Sequence, residues 1–180
     1  MKNNLHFRED LHAARDGLLS LGFWALPVYR FGHLRYNYTS KLIRIPLGVA
    51  HAILAKLAEI ICGVEIGVSA KIGRRLIIEH SGCIVIHGKA EIGDDCIVRQ
   101  GVTIGNRRLD DPFGAPIIGD RVSIGAGAKL LGRIRIGNDV EIGANAVVLD
   151  DVPDGAIAVG IPARIILRNT EPDNVTPLRA

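Results

Sequence analysis

The sequence predicts an all-β solenoid preceded by an α-helical segment, and three observations lead to this prediction. Aliphatic residues recur at a step of six along residues 66–148. A glycine directly follows eight of these twelve aliphatic positions, which suits short strands separated by tight turns. Seven of the eight aromatic residues precede residue 65, so the repeated half offers mainly small and aliphatic side chains for a core. Rungs of six residues wind into a solenoid whose core is a stack of aliphatic ladders.

The composition limits the class of protein before any motif is considered. The chain has 180 residues, of which 48% are hydrophobic and 23% charged, enough apolar sequence for one domain with its own core. The net charge of +3 is mild and forms no basic stripe, so we expect no nucleic-acid partner. We divide the chain into a helical segment at residues 1–62, a β-helix domain at residues 63–168 and a tail at residues 169–180.

The front segment is predicted to be helical. The apolar spacing over residues 7–20 is that of an amphipathic helix. Pro27 is expected to interrupt the helical pattern, which resumes over residues 28–36. A further helix is predicted over residues 47–61, with Pro46 at its first turn. Together these helices would cover the strand edges that the first coil of a solenoid exposes.

The six-residue register breaks at two places in the repeated half. The step is 14 residues from Ile78 to Ile92, and again from Ile104 to Ile118. The second break contains the polar, turn-rich residues 106–114, which predict a loop that leaves the coil. The first break contains His80 and His87. Since insertions in a solenoid often gather on its binding face, both breaks are candidate positions for chemistry.

Cysteine content and the N-terminus bear on the compartment. Cys62, Cys83 and Cys96 show no C-x-x-C spacing, so we interpret all three as small buried apolar residues of a protein in a reducing environment. The first ten residues include acidic side chains where a signal peptide needs an apolar run. The most apolar stretch, residues 45–55, is too short to span a bilayer. We therefore expect a cytoplasmic protein, and leave open a peripheral membrane contact by this helix.

At this point the sequence resembles the hexapeptide-repeat acyltransferases, in particular their serine acetyltransferase-like branch. The resemblance covers residues 63–168 and rests on six motifs in family order: Val64-Glu-Ile-Gly-Val-Ser-Ala-Lys-Ile-Gly73, Ile78-Glu-His-Ser-Gly82, Val102-Thr-Ile-Gly105, Ile124-Gly-Ala-Gly-Ala-Lys-Leu-Leu-Gly132, Ile142-Gly-Ala-Asn-Ala-Val-Val-Leu149 and Gly160-Ile-Pro-Ala-Arg164. It implies a left-handed parallel β-helix of hexapeptide repeats. It also implies a homotrimer that binds acetyl-CoA, as a co-substrate, in clefts between neighbouring subunits.

The resemblance assigns catalytic roles to three residues. His80 matches the general base of the family, which deprotonates the acceptor hydroxyl as it attacks the thioester. Glu65 stands where serine acetyltransferases carry the aspartate that orients this imidazole. Glu79 stands where the family tends to have an acid beside the base. The other histidines are predicted to be structural or solvated.

The resemblance also implies contacts to both substrates. Small residues admit the thin pantetheine arm and guanidinium groups suit the phosphates, which gives these predicted CoA-binding positions: Gly105, Ala126, Ala144, Arg164 and Arg168. The loop at the second break supplies the predicted acceptor-binding residues: Asn106, Arg107 and Arg108. His and acidic residues do not cluster at the spacing of metal ligands, so no metal is expected.

One departure from the family bears on the acceptor. Serine acetyltransferases carry an Arg-His pair just before the Pro-x-Ile of the next coil, whereas this chain has Gly114 and Ala115 there. Together with the short helical segment, this makes the chain look most similar to the colanic acid and capsular polysaccharide acetyltransferases. We therefore expect a sugar hydroxyl as the acceptor, in surface polysaccharide biosynthesis. Two alternatives stay open: serine, giving O-acetylserine for cysteine biosynthesis, and a trimeric scaffold without catalysis.

Overall fold

A computed structural model describes residues 6–14 and 17–168 of the chain. Three α-helices come first: α1 (Phe7–Ala13), α2 (Leu21–Leu34) and α3 (Lys41–Cys62). Short strands follow: β1 (Val64–Ile66), β2 (Lys71–Ile72), β3 (Ile77–Glu79), β4 (Ile84–Ile86), β5 (Glu91–Ile92), β6 (Ile97–Arg99), β7 (Thr103–Gly105), β8 (Ile117–Ile118), β9 (Ser123–Ile124), β10 (Lys129–Leu131), β11 (Arg135–Ile136), β12 (Glu141–Ile142), β13 (Val147–Val148), β14 (Ile157–Val159) and β15 (Arg164–Ile166).

The strands form three parallel sheets that the chain visits in turn. Sheet A contains β1, β4, β7, β10 and β13, and sheet B contains β2, β5, β8 and β11. Sheet C contains β3, β6, β9, β12 and β14, with β15 added antiparallel at its end. Each coil of the solenoid thus contributes one strand to each sheet, as the six-residue period predicts. The predicted fold class, a β-solenoid of hexapeptide repeats behind a helical segment, is confirmed.

Aliphatic ladders fill the interior of the solenoid. One ladder runs through sheet A, where parallel register places these residues one above another: Ile66, Ile86, Ile104, Leu130 and Val148. Sheets B and C carry the equivalent ladders, and most of their members are less than 5% exposed. Such close stacking leaves room for aliphatic side chains only, which explains why aromatic residues are confined to the front of the chain.

The two register breaks have different structures although they have the same length in sequence. Ladder neighbours lie 18 residues apart from Ile86 to Ile104, 20 apart from Ile66 to Ile86 and 26 apart from Ile104 to Leu130. The first break therefore contains strand β4 and widens one corner by two residues. The second break places all eight of its extra residues in a single corner, as a loop over residues 106–116. The sequence did not distinguish these two cases, because a whole skipped strand and a loop give the same spacing.

Three edges run along the solenoid where the sheets meet. The CA edge joins sheet C to sheet A through residues 80–83, 100–102, 126–128, 144–146 and 160–163. The AB edge joins sheet A to sheet B through residues 87–90, 106–116, 132–134 and 149–151. The BC edge joins sheet B to sheet C through residues 73–76, 93–96, 119–122, 137–140 and 153–156.

The BC edge is tied together by a ladder of side-chain acceptors. The backbone N–H of Arg74 donates to Asp94 Oδ1 at 2.7 Å, and the N–H of Asp94 donates to Asp120 Oδ1 at 2.8 Å. The N–H of Asp120 donates to Asn138 Oδ1 at 2.8 Å, and the N–H of Asn138 to Asp154 Oδ1 at 2.7 Å. Each coil thus satisfies a corner donor of the coil before it.

The helices close the first coil through a buried ion pair. Arg30 of α2 donates to both carboxylate oxygens of Asp10 in α1, at 2.6 and 3.0 Å, and also to the carbonyl of Gly73 at 2.8 Å. The Asp10 carboxylate in turn accepts the backbone N–H of Arg75 at 3.1 Å. The hydroxyl of Tyr29 donates to the carbonyl of Ala70 at 2.6 Å. These bonds fasten α1 and α2 to the end of the solenoid that would otherwise expose strand edges.

The helix boundaries differ from those predicted. Pro27 lies inside the continuous helix α2, and Pro46 lies inside α3 rather than at its first turn. A proline removes one intrahelical hydrogen bond at a cost of about 3 kcal/mol, and burial of the helix face can offset that cost. The first helix ends at Ala13, whereas the spacing predicted one that continues to residue 20.

The cysteine prediction is right for two residues and wrong for the third. Cys62 and Cys96 are buried, and burial raises the pKa of the Cys62 thiol and that of Cys96, the latter to about 11. Cys83 is exposed, because it lies in the widened corner of the CA edge and not on a core ladder. The predicted tail, residues 169–180, lies outside the described residues.

Candidate active site

His80 follows strand β3 directly and opens the widened corner of the CA edge. Its backbone adopts φ 53°, a left-handed conformation in which histidine is enriched over most non-glycine residues. The side chain is exposed, and within the described residues no hydrogen bond or ion pair involves its imidazole. The two extra residues of this corner thus bring the imidazole out of the coil, where it can act on a bound molecule.

Small residues continue the CA edge beyond His80, one corner for each coil. The N–H of Gly101 donates to the carbonyl of Gly82, and the N–H of Asn145 donates to the carbonyl of Ala126, both at 2.8 Å. Ala126 and Ala144 lie in the corners of this column, so the structure places both on the same edge as His80. An edge without bulky side chains leaves room for a thin, extended ligand against the backbone.

Glu79 is already engaged by a neighbouring coil. Its Oε2 lies 3.0 Å from Nε of Arg99, its register partner on strand β6. Nη1 of Arg99 also donates to the hydroxyl of Ser123 at 3.3 Å. Glu79 is half-buried, and its ion pair with Arg99 ties the strand that ends at His80 to the next strand of sheet C. Its position beside the base is as predicted, and its partner in this structure is Arg99.

Glu65 lies in the middle of strand β1 with its side chain exposed on the outer face of sheet A. Among the described residues, no hydrogen bond joins it to His80. Glu65 instead borders a cavity of about 190 Å³ between sheet A and the helices. The polar side chains that border this cavity with it are Tyr29, His51, Lys56 and Glu59. The structure therefore places Glu65 one coil before His80, without the direct contact that an orienting role requires.

The predicted acceptor-binding residues lie on the AB edge, where strand β7 ends at Gly105. Asn106 donates from Nδ2 to the carbonyl of Arg108 at 2.9 Å. Arg108 pairs with Asp110 through two bonds of 2.8 and 2.7 Å, so its charge is used within the loop. Arg107 is exposed and packs its stem near Gly132, and it has no ion-pair partner within the described residues. Arg107 is therefore the cation of this trio that is available to a ligand.

A second ion pair holds the far side of the loop, and the sequence analysis missed it. Arg133 donates to both carboxylate oxygens of Asp111, at 2.8 and 2.6 Å, and this bonding lowers the pKa of that carboxyl. Gly114 is buried beneath the pair, and a Cβ there would meet the Asp111 carboxylate. The larger side chain that the family pattern led us to look for at this position has no room in this loop. A pairing over 22 residues has no local signal by which sequence reasoning could find it.

The two arginines near the end of the solenoid differ in availability. Arg168 pairs with Glu141 at 2.6 Å, whereas Arg164 of strand β15 is exposed and has no ion-pair partner within residues 6–14 and 17–168. Lys129 is a further cation that the sequence analysis did not single out. Its Nζ donates to the carbonyl of Gly101, on the CA edge, and to the hydroxyl of Thr103 at 3.2 Å.

The site residues divide between two edges that border sheet A on opposite sides. His80, Ala126 and Ala144 lie on the CA edge, whereas Gly105 and the loop lie on the AB edge. One chain therefore separates the base from the loop by the width of a sheet. In the described part of the chain, no group of three or more His, Cys, Asp and Glu residues could hold a metal ion.

Comparisons with known proteins agree with this arrangement. Residues 115–150 match the family model described as bacterial transferase hexapeptide (six repeats). The serine acetyltransferase of Helicobacter pylori is 45% identical over 152 residues, which cover 84% of this chain and 85% of that protein. The serine acetyltransferase of Synechococcus elongatus is 41% identical over 161 residues, but the chain spans only 63% of its length.

Solved structures give the same result. The structure of soybean serine acetyltransferase complexed with serine superposes with a TM-score of 0.79 at 34% identity, covering 89% of this chain and 68% of that one. A serine acetyltransferase in complex with CoA superposes with a TM-score of 0.77, also at 34% identity, again covering 89% of this chain and 68% of that one.

Proposed function

The chain belongs to the serine acetyltransferase family of hexapeptide-repeat transferases, and we propose on that premise that it transfers the acetyl group of acetyl-CoA to the hydroxyl of serine. The observation that carries the proposal is the exposed, unpartnered imidazole of His80 at the head of a column of small residues. The similar proteins named above are serine acetyltransferases, so the expected sugar acceptor and the likeness to polysaccharide acetyltransferases are not supported.

His80 supplies the proton transfers of the proposed reaction. A neutral ring nitrogen accepts the proton of the acceptor hydroxyl as its oxygen attacks the thioester carbonyl. The tetrahedral intermediate then collapses, the C–S bond breaks, and the imidazolium returns its proton to the leaving sulfur of CoA. An imidazole suits both steps, because its ordinary pKa of about 6.5 lets it exist in both forms near neutral pH.

The CA edge fits an extended thioester substrate. The corners at Ala126 and Ala144 carry no side chain larger than a methyl group, so the pantetheine arm of acetyl-CoA can lie along the backbone. Arg164 lies near the end of this column, and its unpaired guanidinium can bind a phosphate group. Gly105 lies on the other edge, so its predicted contact to the same molecule requires a neighbouring chain.

The separation of the two edges supports a homotrimer. A site that unites His80 with the loop needs the CA edge of one chain and the AB edge of another. A closed ring of three chains satisfies this requirement for every copy at once. Sedimentation velocity tests the proposal, because a stable and active monomer would contradict it.

The acceptor is decided by the charges that serine presents. Its carboxylate and ammonium groups both need partners, since an unpaired charge in a closed site costs several kcal/mol. Arg107 provides the free guanidinium in the loop, and we assign it to the carboxylate. Gly114 and Ala115 provide no side-chain charge, and this observation is what favours a sugar hydroxyl as the second candidate.

One assay separates these candidates. CoA release is measured with serine, with a nucleotide sugar and with an oligosaccharide as acceptors, for the wild-type chain and for His80→Ala. We expect saturable release with serine that His80→Ala abolishes. Release with a sugar acceptor alone would replace serine by the second candidate. Absence of release with every acceptor, in a folded trimer that binds CoA, would favour the non-catalytic scaffold.

A further inference from the structure

Helix α3 presents an apolar face that nothing in the described chain covers. The helix spans 22 residues, Lys41–Cys62. Nine large aliphatic residues on it are between 39% and 87% exposed: Leu42, Ile43, Ile45, Val49, Ile53, Leu54, Leu57, Ile60 and Ile61. At 100° per residue, they fall within about half of the helix circumference, without a charged residue among them. We call this set the α3 apolar face.

The opposite side of the helix holds it against the protein. His51, Ala58 and Cys62 are buried, and they are directed toward α2 and the first coil. Strand β1 begins only two residues after the helix ends, at Val64. By length and composition alone α3 is long enough to cross a bilayer, which corrects the expectation drawn from residues 45–55. Its packing on one side instead fixes it along the surface of the protein.

The charges of the helix favour one kind of partner over a second copy of the chain. Lys41 and Arg44 lie at its start, and within residues 6–14 and 17–168 neither has an ion-pair partner. Glu59, the one acidic residue of the helix, is bonded to Lys56 at 2.5 Å. A second copy of this helix would therefore bring cations without free carboxylates to meet them. A surface with anionic head groups over an apolar layer complements both the cations and the face.

Exposed apolar residues also occur where α2 begins. Leu18, Leu19, Leu21 and Trp24 are between 44% and 89% exposed. The indole N–H of Trp24 donates to the carbonyl of Leu18 at 2.9 Å. Tryptophan is enriched at membrane–water interfaces, where its ring lies at the level of the head groups.

We propose that the α3 apolar face is a docking surface for an anionic lipid bilayer, on which the helix lies flat with its face in the interface. The proposal is independent of the acceptor, because it concerns a surface formed before the first coil. A flat orientation keeps the buried contacts of α3 intact, and it places the cations of its first turn at the level of the lipid phosphates.

Vesicle co-sedimentation tests the proposal on the full chain without substrates. The vesicles contain phosphatidylcholine and phosphatidylglycerol at a ratio of three to one, or phosphatidylcholine alone. We expect binding to the anionic vesicles that weakens as salt is raised. The double variant Ile53→Glu with Leu57→Glu should lower the partition coefficient at least about tenfold, because two carboxylates enter the middle of the apolar face.

The matched control is Ala52→Glu, which adds a carboxylate to the exposed surface of the same helix at the polar edge beside Lys56. It should bind vesicles like the wild type. Circular dichroism and sedimentation of all variants check the fold and the assembly state. If the wild type does not bind vesicles, or if the double variant binds as well as Ala52→Glu does, the proposal is overturned. A doubled assembly that the double variant dissociates, without vesicle binding, would instead assign the face to a second copy.

Discussion

Replacing Asp10 by alanine is expected to lower the free energy of unfolding by about 3–5 kcal/mol. The Asp10 side chain is buried, and it accepts two bonds from Arg30, at 2.6 and 3.0 Å, and one from the backbone N–H of Arg75 at 3.1 Å. Its removal leaves the Arg30 guanidinium, in a residue only 4% exposed, with the carbonyl of Gly73 as its partner. The large value follows from this uncompensated buried charge, not from the loss of an ion pair as such.

The measurement is thermal and urea unfolding followed by circular dichroism. For a chain of this length each kcal/mol lowers Tm by about 2–4 °C, so the variant should melt about 6–20 °C below the wild type. The control is Asp139→Ala, which breaks a pair with Arg121 of closely similar geometry, with both bonds at 2.7 Å. The side chains of that pair are 55% and 53% exposed, so water replaces the lost partner and Tm should hardly change.

A third variant separates the buried charge from the lost contact. Asp10→Ala combined with Arg30→Met removes both charges, and it should recover much of the stability that Asp10→Ala loses. The reasoning is refuted if Asp10→Ala destabilises no more than Asp139→Ala does. It is equally refuted if the double variant is as unstable as Asp10→Ala.

Three further predictions concern the site and its surroundings. His80→Ala should lower kcat by about 10²–10⁴ without altering CoA affinity, whereas His12→Ala, in an exposed helix, should leave turnover unchanged; near-normal turnover of the first variant would remove His80 from the mechanism. Arg107→Gln should raise KM for serine by about 10–100-fold with little change in kcat, and an unchanged KM would show that the carboxylate binds elsewhere. Burial lowers the pKa of His33 and of His51 below 6.5, so stability should be full above about pH 6.5 and fall as the pH drops from there toward the lower folded-state pKa; a His51→Gln variant whose stability depends on pH as steeply as the wild type would contradict this.

The solenoid was predictable because its signal is local and repeated. Each coil restates the same aliphatic and glycine positions, so a single misread residue does not disturb the period. The helices were less predictable, since Pro27 and Pro46 argue locally for breaks that the packing of α2 and α3 overrides. The length of α3 was underestimated for the same reason.

The candidate site was predictable only in part. His80 and the small corner residues follow from motifs at fixed spacing, and the structure brings them to one edge. The pairing of Asp111 with Arg133 and that of Glu79 with Arg99 join residues of different coils, so they depend on the register of the fold. The expectation of a sugar acceptor was wrong because it treated Gly114 as a missing charge. In the structure Gly114 is where the loop closes over a different ion pair.

The acceptor ladder of the BC edge imposes an order on synthesis. The corner N–H of Arg74 is satisfied by Asp94 of the following coil, which leaves the ribosome only after about twenty more residues. The same holds for Asp94 with Asp120, and so on toward Asp154. Each coil on the nascent chain therefore ends in an open donor until its successor emerges, so the solenoid is completed from its helical end outward. A chain released early would be most incomplete at its newest coil, while the older coils behind it would already be closed.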